Sequence, residues 1–484
     1  MNKVLIASAN PWSFALAVER DIIATRADRQ VDVLNLFRIC SSRAPEWRSR
    51  DRWIEALNRK INRFVVPLAT GREITGDIAL GHFDAPPLPA DEAALRAYRH
   101  GEARIGLATL SSVTSITTII RPPALEDYGP ALRQAWHAAH LSAEYGRLVA
   151  ERGYDEVYIF NGRHCYSRPF CDALSGHARV FRYEQGGTGT RYVMSDRGVH
   201  APDAVADLIL SHPTDEASGR VFFEQRLAKA AGNPVAFFTA NQVEGLLPAG
   251  VEAGGIVSFY TSSSDEMYAV GDDPGFGDFP TQGAVGLAVA EACKTRGLRF
   301  VIRFHPHLLY KHPSWQREWD FAALRRLGAV LVLPEDPCDT YALARASRCV
   351  LTCGSTIGFE AAYLSVPVAE VGYWAAGALG AVTTVRTAAE MAAFLEAPRL
   401  APSAQERAIR YGAYASGAGK ELPSLDVGRH PDLARIDGRI VDPVRYALRK
   451  VRDLGSIREY KALPPGGKII VDPSVLQALA RKMQ

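Results

Sequence analysis

Short apolar runs recur along the chain and alternate with segments of helical periodicity. Continuous apolar runs at residues 156–160, 255–260, 300–302 and 349–352 predict buried strands, because parallel strands are covered on both faces. Segments with apolar residues at helical spacing, such as residues 281–296, separate these runs. Regular alternation of this kind predicts a doubly wound α/β fold with parallel sheets.

The predicted strands fall into two groups. Residues 1–240 predict an N-terminal Rossmann-like domain with acceptor and catalytic groups, in which residues 206–211 form a last short strand. Residues 250–400 predict a second Rossmann-like domain, and residues 401–484 predict a helical extension packing back on the first. Two Rossmann-like domains that face a cleft, with a C-terminal tail, define the GT-B architecture.

Composition narrows the class of protein. A chain of 484 residues is too long for one ordinary domain, and a net charge of +3 gives no reason to expect a nucleic-acid partner. The seven cysteines are odd in number and irregularly spaced, which indicates reduced thiols. The N-terminus does not resemble a signal peptide, and no apolar window is long enough to span a bilayer. We therefore expect a cytoplasmic protein.

A cationic loop follows the predicted strand at residues 300–302. Arg303, His305 and His307 lie in an Arg-Phe-His-Pro-His sequence, and the proline restricts His305 to extended backbone. With Lys311, these side chains could bind the phosphate of a nucleotide. A zinc site built from the loop's imidazoles and purely structural histidines are the alternatives. No carboxylate lies at a familiar metal-site spacing, so we expect no metal.

Small hydroxyl residues follow the predicted strand at residues 349–352. Ser355 and Thr356 begin a predicted helix whose free N–H groups could hold a phosphate. Glu360 lies one turn further on and could accept hydrogen bonds from ribose hydroxyls. The alternative is an ordinary capped helix with a solvated glutamate.

A third hydroxyl-rich loop follows the first strand of the second predicted domain. Its members are Ser262, Ser263 and Ser264. They would face the cleft and meet the same phosphate, or they would cap a helix.

Candidate catalytic groups occur in the first predicted domain. Glu184 ends a strand and precedes two glycines that permit close approach of a substrate, so it could act as general base or serve as a structural acid. Asn161, Arg163 and Arg168 end the neighbouring strand. Arg163 could hold an acceptor or a donor carboxylate through its guanidinium, and a structural ion pair is the alternative.

With these motifs, the chain resembles bacterial glycosyltransferases of GT-B type that build capsule and surface polysaccharides. Residues 261–266, 303–307 and 354–360 match in order, and residues 161–163 and 184–187 match more loosely. A His-Pro motif followed by a Ser/Thr motif is similar to enzymes that use CMP-Kdo or CMP-sialic acid. The paired acidic residues of some CMP-sialic acid enzymes are absent here.

The resemblance implies metal-independent transfer from a nucleotide-sugar substrate, with no cofactor, to a saccharide or glycolipid acceptor. A CMP-sugar such as CMP-Kdo is the favoured donor, and UDP- and GDP-sugar enzymes share the layout. A sugar-nucleotide epimerase and a non-catalytic scaffold for polysaccharide export are the alternatives. The basic tail could touch anionic lipid at the inner face of the membrane through Arg445, Arg449, Lys450 and Arg452, and a solvated helix face is the favoured alternative.

Overall fold

The computed structural model describes most of the chain. The described residues are 3–9, 13–42, 72–78, 80, 83–229, 239–252, 254–271, 275–427 and 434–440.

Strands within the described residues are numbered here in chain order. They are β1 (Lys3–Ala7), β2 (Gln30–Leu34), β3 (Arg72–Glu73), β4 (Glu156–Phe160), β5 (Arg179–Gln185), β6 (Arg191–Ser195), β7 (Ile256–Tyr260), β8 (Arg299–Arg303), β9 (Val330–Val332), β10 (Ser347–Thr352), β11 (Val368–Val371), β12 (Thr383–Val385), β13 (Lys420–Glu421), β14 (Leu425–Asp426), β15 (Arg435–Ile436) and β16 (Arg439–Ile440).

The α-helices of the same residues are numbered in the same way. They are α1 (Ser13–Thr25), α2 (Leu36–Ser42), α3 (Glu92–Ala97), α4 (Ile105–Thr117), α5 (Pro130–Ala150), α6 (Arg168–Ala173), α7 (Pro202–Ser211), α8 (Glu216–Leu227), α9 (Ser264–Met267), α10 (Gln282–Thr295), α11 (Phe321–Arg326), α12 (Thr340–Ala346), α13 (Ile357–Tyr363), α14 (Ala375–Ala378), α15 (Ala388–Glu396) and α16 (Ala404–Gly417). Three short 3₁₀ helices cover Leu125–Tyr128, Pro306–Tyr310 and Pro313–Glu318.

The first sheet has the strand order β13-β6-β5-β4-β1-β2-β3. Its pairs from β5 through β4, β1 and β2 to β3 are parallel, whereas β6 runs antiparallel to both β5 and β13. The interior strand β1 is apolar and fully buried from Val4 to Ala7, as expected for a strand covered by helices on both faces. In β5, Glu184 lies opposite Val193 of β6.

The second sheet has the strand order β12-β11-β10-β7-β8-β9, and every pair is parallel. Tyr260, Arg303 and Thr352 lie level in register at its carboxyl edge. The loops after β7, β8 and β10 therefore begin side by side, as the Thr261 N–H···O=C Arg303 bond of 3.1 Å shows. The predicted fold class, α/β with two Rossmann-like sheets, is confirmed.

Two details of the predicted secondary structure are wrong. Residues 206–211 lie in helix α7, not in a strand, because Pro202 begins a helix that buries Ala206 and Ile209 on one face. An apolar run this short has no period that distinguishes helix from strand. Strand β6 was also not predicted, and it turns the edge of the first sheet antiparallel.

Helix α16 follows the second sheet along the chain and packs against α8 and α13. Gly219 and Gly412 allow the close approach to α8, since a Cβ on Gly412 would lie 2.5 Å from the carbonyl oxygen of Gly219. The ring of Tyr411 stacks on that of Phe359. Strand β13 then extends the first sheet.

By its internal contacts the chain divides into two compact units. The first contains residues 1–48 and 68–425, with both large sheets, and the second contains residues 49–67 and 426–484. In the second unit, β15 pairs antiparallel with β16. The domain boundaries near residues 240, 250 and 400 stay a prediction, and the basic tail from Arg445 to Arg452 lies outside the described residues.

All seven cysteines are buried free thiols, in agreement with the sequence prediction. Across the described ranges, none of the helices combines the length and the apolar character needed to cross a bilayer.

Candidate functional site

Glu184 lies near the end of β5 and is held by two hydrogen bonds. Its Oε2 accepts from Asn161 Nδ2 at 2.6 Å, and its Oε1 accepts from the Gln185 N–H at 2.9 Å. Burial raises the pKa of Glu184, while the two hydrogen bonds oppose that rise. The carboxyl is thus fixed in direction and weakened as an acid.

Asn161 positions both Glu184 and the following loop. It adopts a left-handed backbone, φ 64°, directly after β4. Its Oδ1 accepts from the Arg163 N–H at 3.2 Å. Asparagine tolerates this backbone better than most residues because its amide bonds locally.

Arg163 and Arg168, which follow β4 along the chain, reach α9 and the segment after it. Arg163 Nη1 donates to the carbonyl of Glu266 at 2.7 Å, and Arg168 Nη2 donates to the carbonyls of Ala269 at 3.3 Å and Val270 at 2.5 Å. Carbonyl partners satisfy hydrogen bonds without neutralising a charge. These two predicted site residues therefore bridge the halves of the first unit and bring positive charge to the bridge.

A cavity of about 550 Å³ opens beside these groups. Its volume suits a ligand of small-molecule size. Five arginines and two aspartates line it, which gives a formal charge of +3. These residues are Arg104, Arg163, Arg168, Arg182, Arg197, Asp172 and Asp196. The cavity is therefore electropositive.

The charges of this cavity are only partly paired. Arg104 forms a bidentate pair with Asp172, and Arg197 pairs with Asp207. Arg163 and Arg182 form no ion pair with a carboxylate in the part of the chain that the structure describes. Their hydrogen-bond partners are neutral: Arg163 donates to the carbonyl of Glu266, and Arg182 donates to the carbonyls of Val180 and Asp196. Their positive charge is thus not balanced by a paired carboxylate, and it could complement an anionic ligand.

His200 lines the same cavity and was not identified from the sequence. Its Nε2 lies 3.7 Å from Glu184 Oε2. Burial, together with the charges of Arg163 and Arg168, lowers the pKa of His200 to about 3, so the ring is neutral near pH 7. No sequence motif marked it, because it lies in the loop before α7.

The serine loop after β7 differs from expectation. Ser262 Oγ donates to the carbonyl of Cys353 at 2.6 Å, Ser263 Oγ to Asp265 Oδ1 at 2.6 Å, and Ser264 Oγ to Glu318 Oε2 at 2.7 Å. All three serines are buried. Their hydroxyl protons are bonded within the protein instead of facing a cleft, because buried polar groups require partners. Their contact with a nucleotide stays a prediction.

His305 caps the 3₁₀ helix that begins at Pro306. Its Nδ1 accepts from the His307 N–H at 3.1 Å, and its own N–H donates to Thr261 Oγ1 at 3.0 Å. Burial, followed by the charges of His307 and Arg303, lowers the pKa of His305 to about 4. The ring is therefore neutral, and with Nδ1 as acceptor its proton lies on Nε2.

His312 repeats the same arrangement at the start of the next 3₁₀ helix, with Nδ1 accepting from the Ser314 N–H at 3.2 Å. The two Nδ1 atoms that a three-imidazole metal site could have used are thus engaged as helix caps. No group of three or more metal-binding side chains arises among the residues described.

Lys311 is paired with acids that follow the serine loop. Its Nζ lies 2.8 Å from Asp265 Oδ2 and 3.4 Å from Glu266 Oε1. His307 Nδ1 lies 3.6 Å from the same Glu266 oxygen. The predicted phosphate-binding cation therefore has a partner in the protein, which the sequence did not indicate.

Arg303 lies apart from the large cavity. Its side chain is 2% exposed, and Nη1 donates to the carbonyl of Leu333 at 2.6 Å. It borders a separate small cavity of about 20 Å³, which has room for about one water molecule. The structure does not bring the Arg303 guanidinium together with Glu184.

Glu360 is also engaged within the protein. Its carboxylate is buried, and Oε1 accepts from Arg226 Nε at 2.8 Å and Nη2 at 2.6 Å. Thr356 is exposed and its Oγ1 accepts from Arg226 Nη2 at 3.3 Å, whereas Ser355 is half-buried. A buried carboxylate needs a cation, so the expected ribose contact would share Glu360 with Arg226 of α8.

Comparison with known proteins gives matches to solved structures alone. No protein-family model matches the chain, and no curated protein matches it. Many solved structures match at a distance, and three of them are given as examples. At this level of identity and superposition the similarity carries no argument about function.

The first is KpsC, a β-Kdo 2,7 transferase of Thermosulfurimonas dismutans, which is 15% identical to this chain and superposes with a TM-score of 0.34. The match covers 64% of this chain and 89% of KpsC. UDP-GlcNAc 2-epimerase of Methanocaldococcus jannaschii has 10% identity, coverages of 85% and 98%, and a TM-score of 0.29. UDP-GlcNAc 2-epimerase of Neisseria meningitidis has 11% identity, coverages of 93% and 100%, and a TM-score of 0.27. The fold assignment rests on the two sheets themselves, the first largely and the second wholly parallel.

Proposed function

We propose that the protein is a metal-independent glycosyltransferase that moves a sugar from a nucleotide-activated donor to a surface polysaccharide or glycolipid. The observation that carries the proposal is the Glu184 carboxyl, oriented by Asn161 at 2.6 Å beside an electropositive cavity. A fixed carboxyl with a raised pKa is suited to remove a proton near neutral pH.

In the proposed reaction, the acceptor hydroxyl binds between Glu184 and the donor. Its oxygen forms a bond to the anomeric carbon as the bond from that carbon to the phosphate oxygen breaks. The hydroxyl proton passes to Glu184, and the nucleotide leaves with the electron pair. Asn161 keeps the carboxylate aimed at the acceptor throughout.

The leaving phosphate gains negative charge and needs donors. We assign this role to the neutral His305 ring, through its Nε2 proton, and to Ser355 at the start of α13. Preorganised donors of this kind stabilise a developing anion more than they stabilise the ground state. Glu360 would hold the ribose through the oxygen that Arg226 does not engage.

The unpaired charge of the cavity favours an acidic donor sugar. Arg163 and Arg182 could together bind a carboxylate, and charge-assisted hydrogen bonds contribute about 1.5–3 kcal/mol each. A CMP-activated sugar acid such as CMP-Kdo therefore fits better than a neutral UDP- or GDP-sugar. We place the reaction in the cytoplasm, at the inner face of the membrane where a lipid-linked acceptor is available.

Product analysis tests the proposal. The protein is incubated with CMP-Kdo, UDP-GlcNAc or GDP-mannose, each with and without a glycolipid acceptor, and products are identified by mass spectrometry. Transfer to the acceptor with release of the nucleotide is the expected result. A changed sugar still attached to its nucleotide, formed without acceptor, would identify an epimerase, and absence of nucleotide binding would identify a scaffold.

A further inference from the structure

Trp374 forms part of the wall of the cavity that Asn161 also lines. It follows β11 and lines the cavity together with Tyr373 and Met267 from the second sheet's side, while Asn161 and His200 line it from the first. The indole is half-buried, in contrast to the core tryptophans Trp315 and Trp319, which are 8% and 7% exposed. It therefore presents aromatic surface to the cavity.

Backbone from three different loops packs against this indole. A Cβ on Gly275 would lie 2.2 Å from Trp374 Cζ2, one on Gly354 would lie 2.8 Å from Cδ2, and one on Gly372 would lie 2.9 Å from Nε1. Only glycine permits contacts this close. The ring is therefore held in place by backbone that side-chain motion cannot displace.

The polar atom of the indole is already satisfied. Trp374 Nε1 donates to the carbonyl of Val371 at 3.2 Å. What the ring offers to a ligand is consequently its apolar face, which carries partial negative charge. The C–H groups on one face of a pyranose ring are apolar and weakly positive, so they match this surface in both shape and charge.

The position of Gly354 indicates which sugar would reach the ring. Gly354 belongs to the loop between β10 and α13 that is proposed to hold the donor phosphate, and it contacts the indole directly. The donor sugar is bonded to that phosphate, so it is the sugar nearest to Trp374. An acceptor sugar would lie farther away, beside Glu184.

We propose that Trp374 is the platform on which the sugar ring of the nucleotide-sugar packs, while Arg163 and Arg182 of the same cavity bind the anionic substituent. This assignment rests on the proposed function and adds a residue that determines recognition of the sugar rather than of the nucleotide.

Binding measurements on matched ligand pairs test the platform. Dissociation constants for CMP-Kdo and for CMP are measured by calorimetry on the full chain, with UDP-GlcNAc and UDP in parallel, for wild type, Trp374→Leu and Trp374→Phe. Aromatic contacts of about 0.5–1.5 kcal/mol correspond to a roughly two- to twelvefold loss of nucleotide-sugar affinity in Trp374→Leu. Affinity for the nucleotide alone should stay within about twofold, and Trp374→Phe should recover most of the loss.

Glycine variants provide the matched control. Gly275→Ala places a methyl group against the indole and should weaken nucleotide-sugar binding in the same selective way. Gly297→Ala has a similar positive φ, 65°, but open space around the new methyl group. It reproduces the backbone strain without touching the ring, so its ligand affinities should equal those of wild type.

Three outcomes separate the ideas. If wild type binds no nucleotide-sugar, the proposed function itself fails. If wild type binds and Trp374→Leu binds the nucleotide-sugar equally well, the platform is refuted while the function stands. If Trp374→Leu loses nucleotide and nucleotide-sugar affinity in equal measure, the indole only supports the phosphate loop, and the platform is again refuted.

Discussion

Replacing Glu184 by glutamine is the sharpest test of the proposed reaction. The substitution keeps the size of the side chain and removes its basicity. A positioned general base contributes about 10²–10⁴-fold in rate. We therefore expect turnover to fall by that factor, while donor affinity stays near the wild-type value because Glu184 does not contact the nucleotide in the proposed complex.

The contacts of Glu184 also indicate how much Glu184→Gln should lower the free energy of unfolding. The two oxygens of Glu184 accept separately from Asn161 and Gln185, whereas glutamine has one oxygen. One of the two N–H donors must lose its partner, at a cost of about 1–3 kcal/mol for a fully buried group. Because the Glu184 side chain is 22% exposed, water can replace the lost acceptor, and we expect the lower end, about 1 kcal/mol.

The pH profile adds an independent readout. Burial raises the pKa of Glu184, and the carboxyl must be ionised to act as a base. The wild-type rate should therefore rise with pH along a limb that lies above the ordinary glutamate pKa, and this limb should vanish in Glu184→Gln. The assay is the initial rate of nucleotide release with saturating donor and acceptor, beside calorimetry of donor binding and a urea unfolding curve.

Matched controls are available nearby. Asp196 pairs with Arg179 at 2.8 Å, and Asp203 accepts a hydrogen bond from Tyr373 Oη. Their asparagine variants remove a carboxylate of the same region without removing the proposed base, so turnover should change little. A Glu184→Gln protein that keeps more than about a tenth of the normal rate would refute the assignment, since a real base contributes more.

Three further predictions concern other residues. His305→Ala should weaken nucleotide binding roughly tenfold to a hundredfold, and wild-type binding should persist in EDTA; loss of binding in EDTA and recovery with Mn²⁺ would contradict this. Arg226→Met should destabilise the protein by about 3–5 kcal/mol by leaving the buried Glu360 carboxylate unpaired, and the double variant with Glu360→Gln should recover most of that in urea unfolding; an Arg226→Met protein as stable as wild type would contradict the pairing. Glu19 is buried against the Tyr183 hydroxyl and its pKa is raised to about 7, so the folded state keeps a proton that the unfolded chain releases, and stability should fall by about 3 kcal/mol between pH 4.5 and 7; the same fall in Glu19→Gln would show that another group is responsible.

Much of the architecture follows from local pattern. Strands β4, β7, β8 and β10 were predicted within two residues of their observed bounds, because continuous apolar runs of that length have few alternatives in an α/β chain. Helix α10 was predicted with Thr281 at its start, and Thr281 Oγ1 accepts from the Ala284 N–H at 3.0 Å. Strand order in parallel sheets then brings the loops to one edge without further information.

The partners of the candidate residues depended on contacts between distant parts of the chain. Glu360 meets Arg226 across 134 positions, and Ser262 meets the carbonyl of Cys353 across 91. No periodicity or motif connects such pairs, because they arise only when separate strand ends and helices pack together. The sequence alone therefore determined which residues gather at the strand ends. The tertiary structure decided which side chains are hydrogen-bonded within the protein, as the serine hydroxyls are, and which line a cavity, as Arg163 and Trp374 do. The physical reason is that burial obliges each polar group to find a partner, and the nearest partner in space is rarely the nearest in sequence.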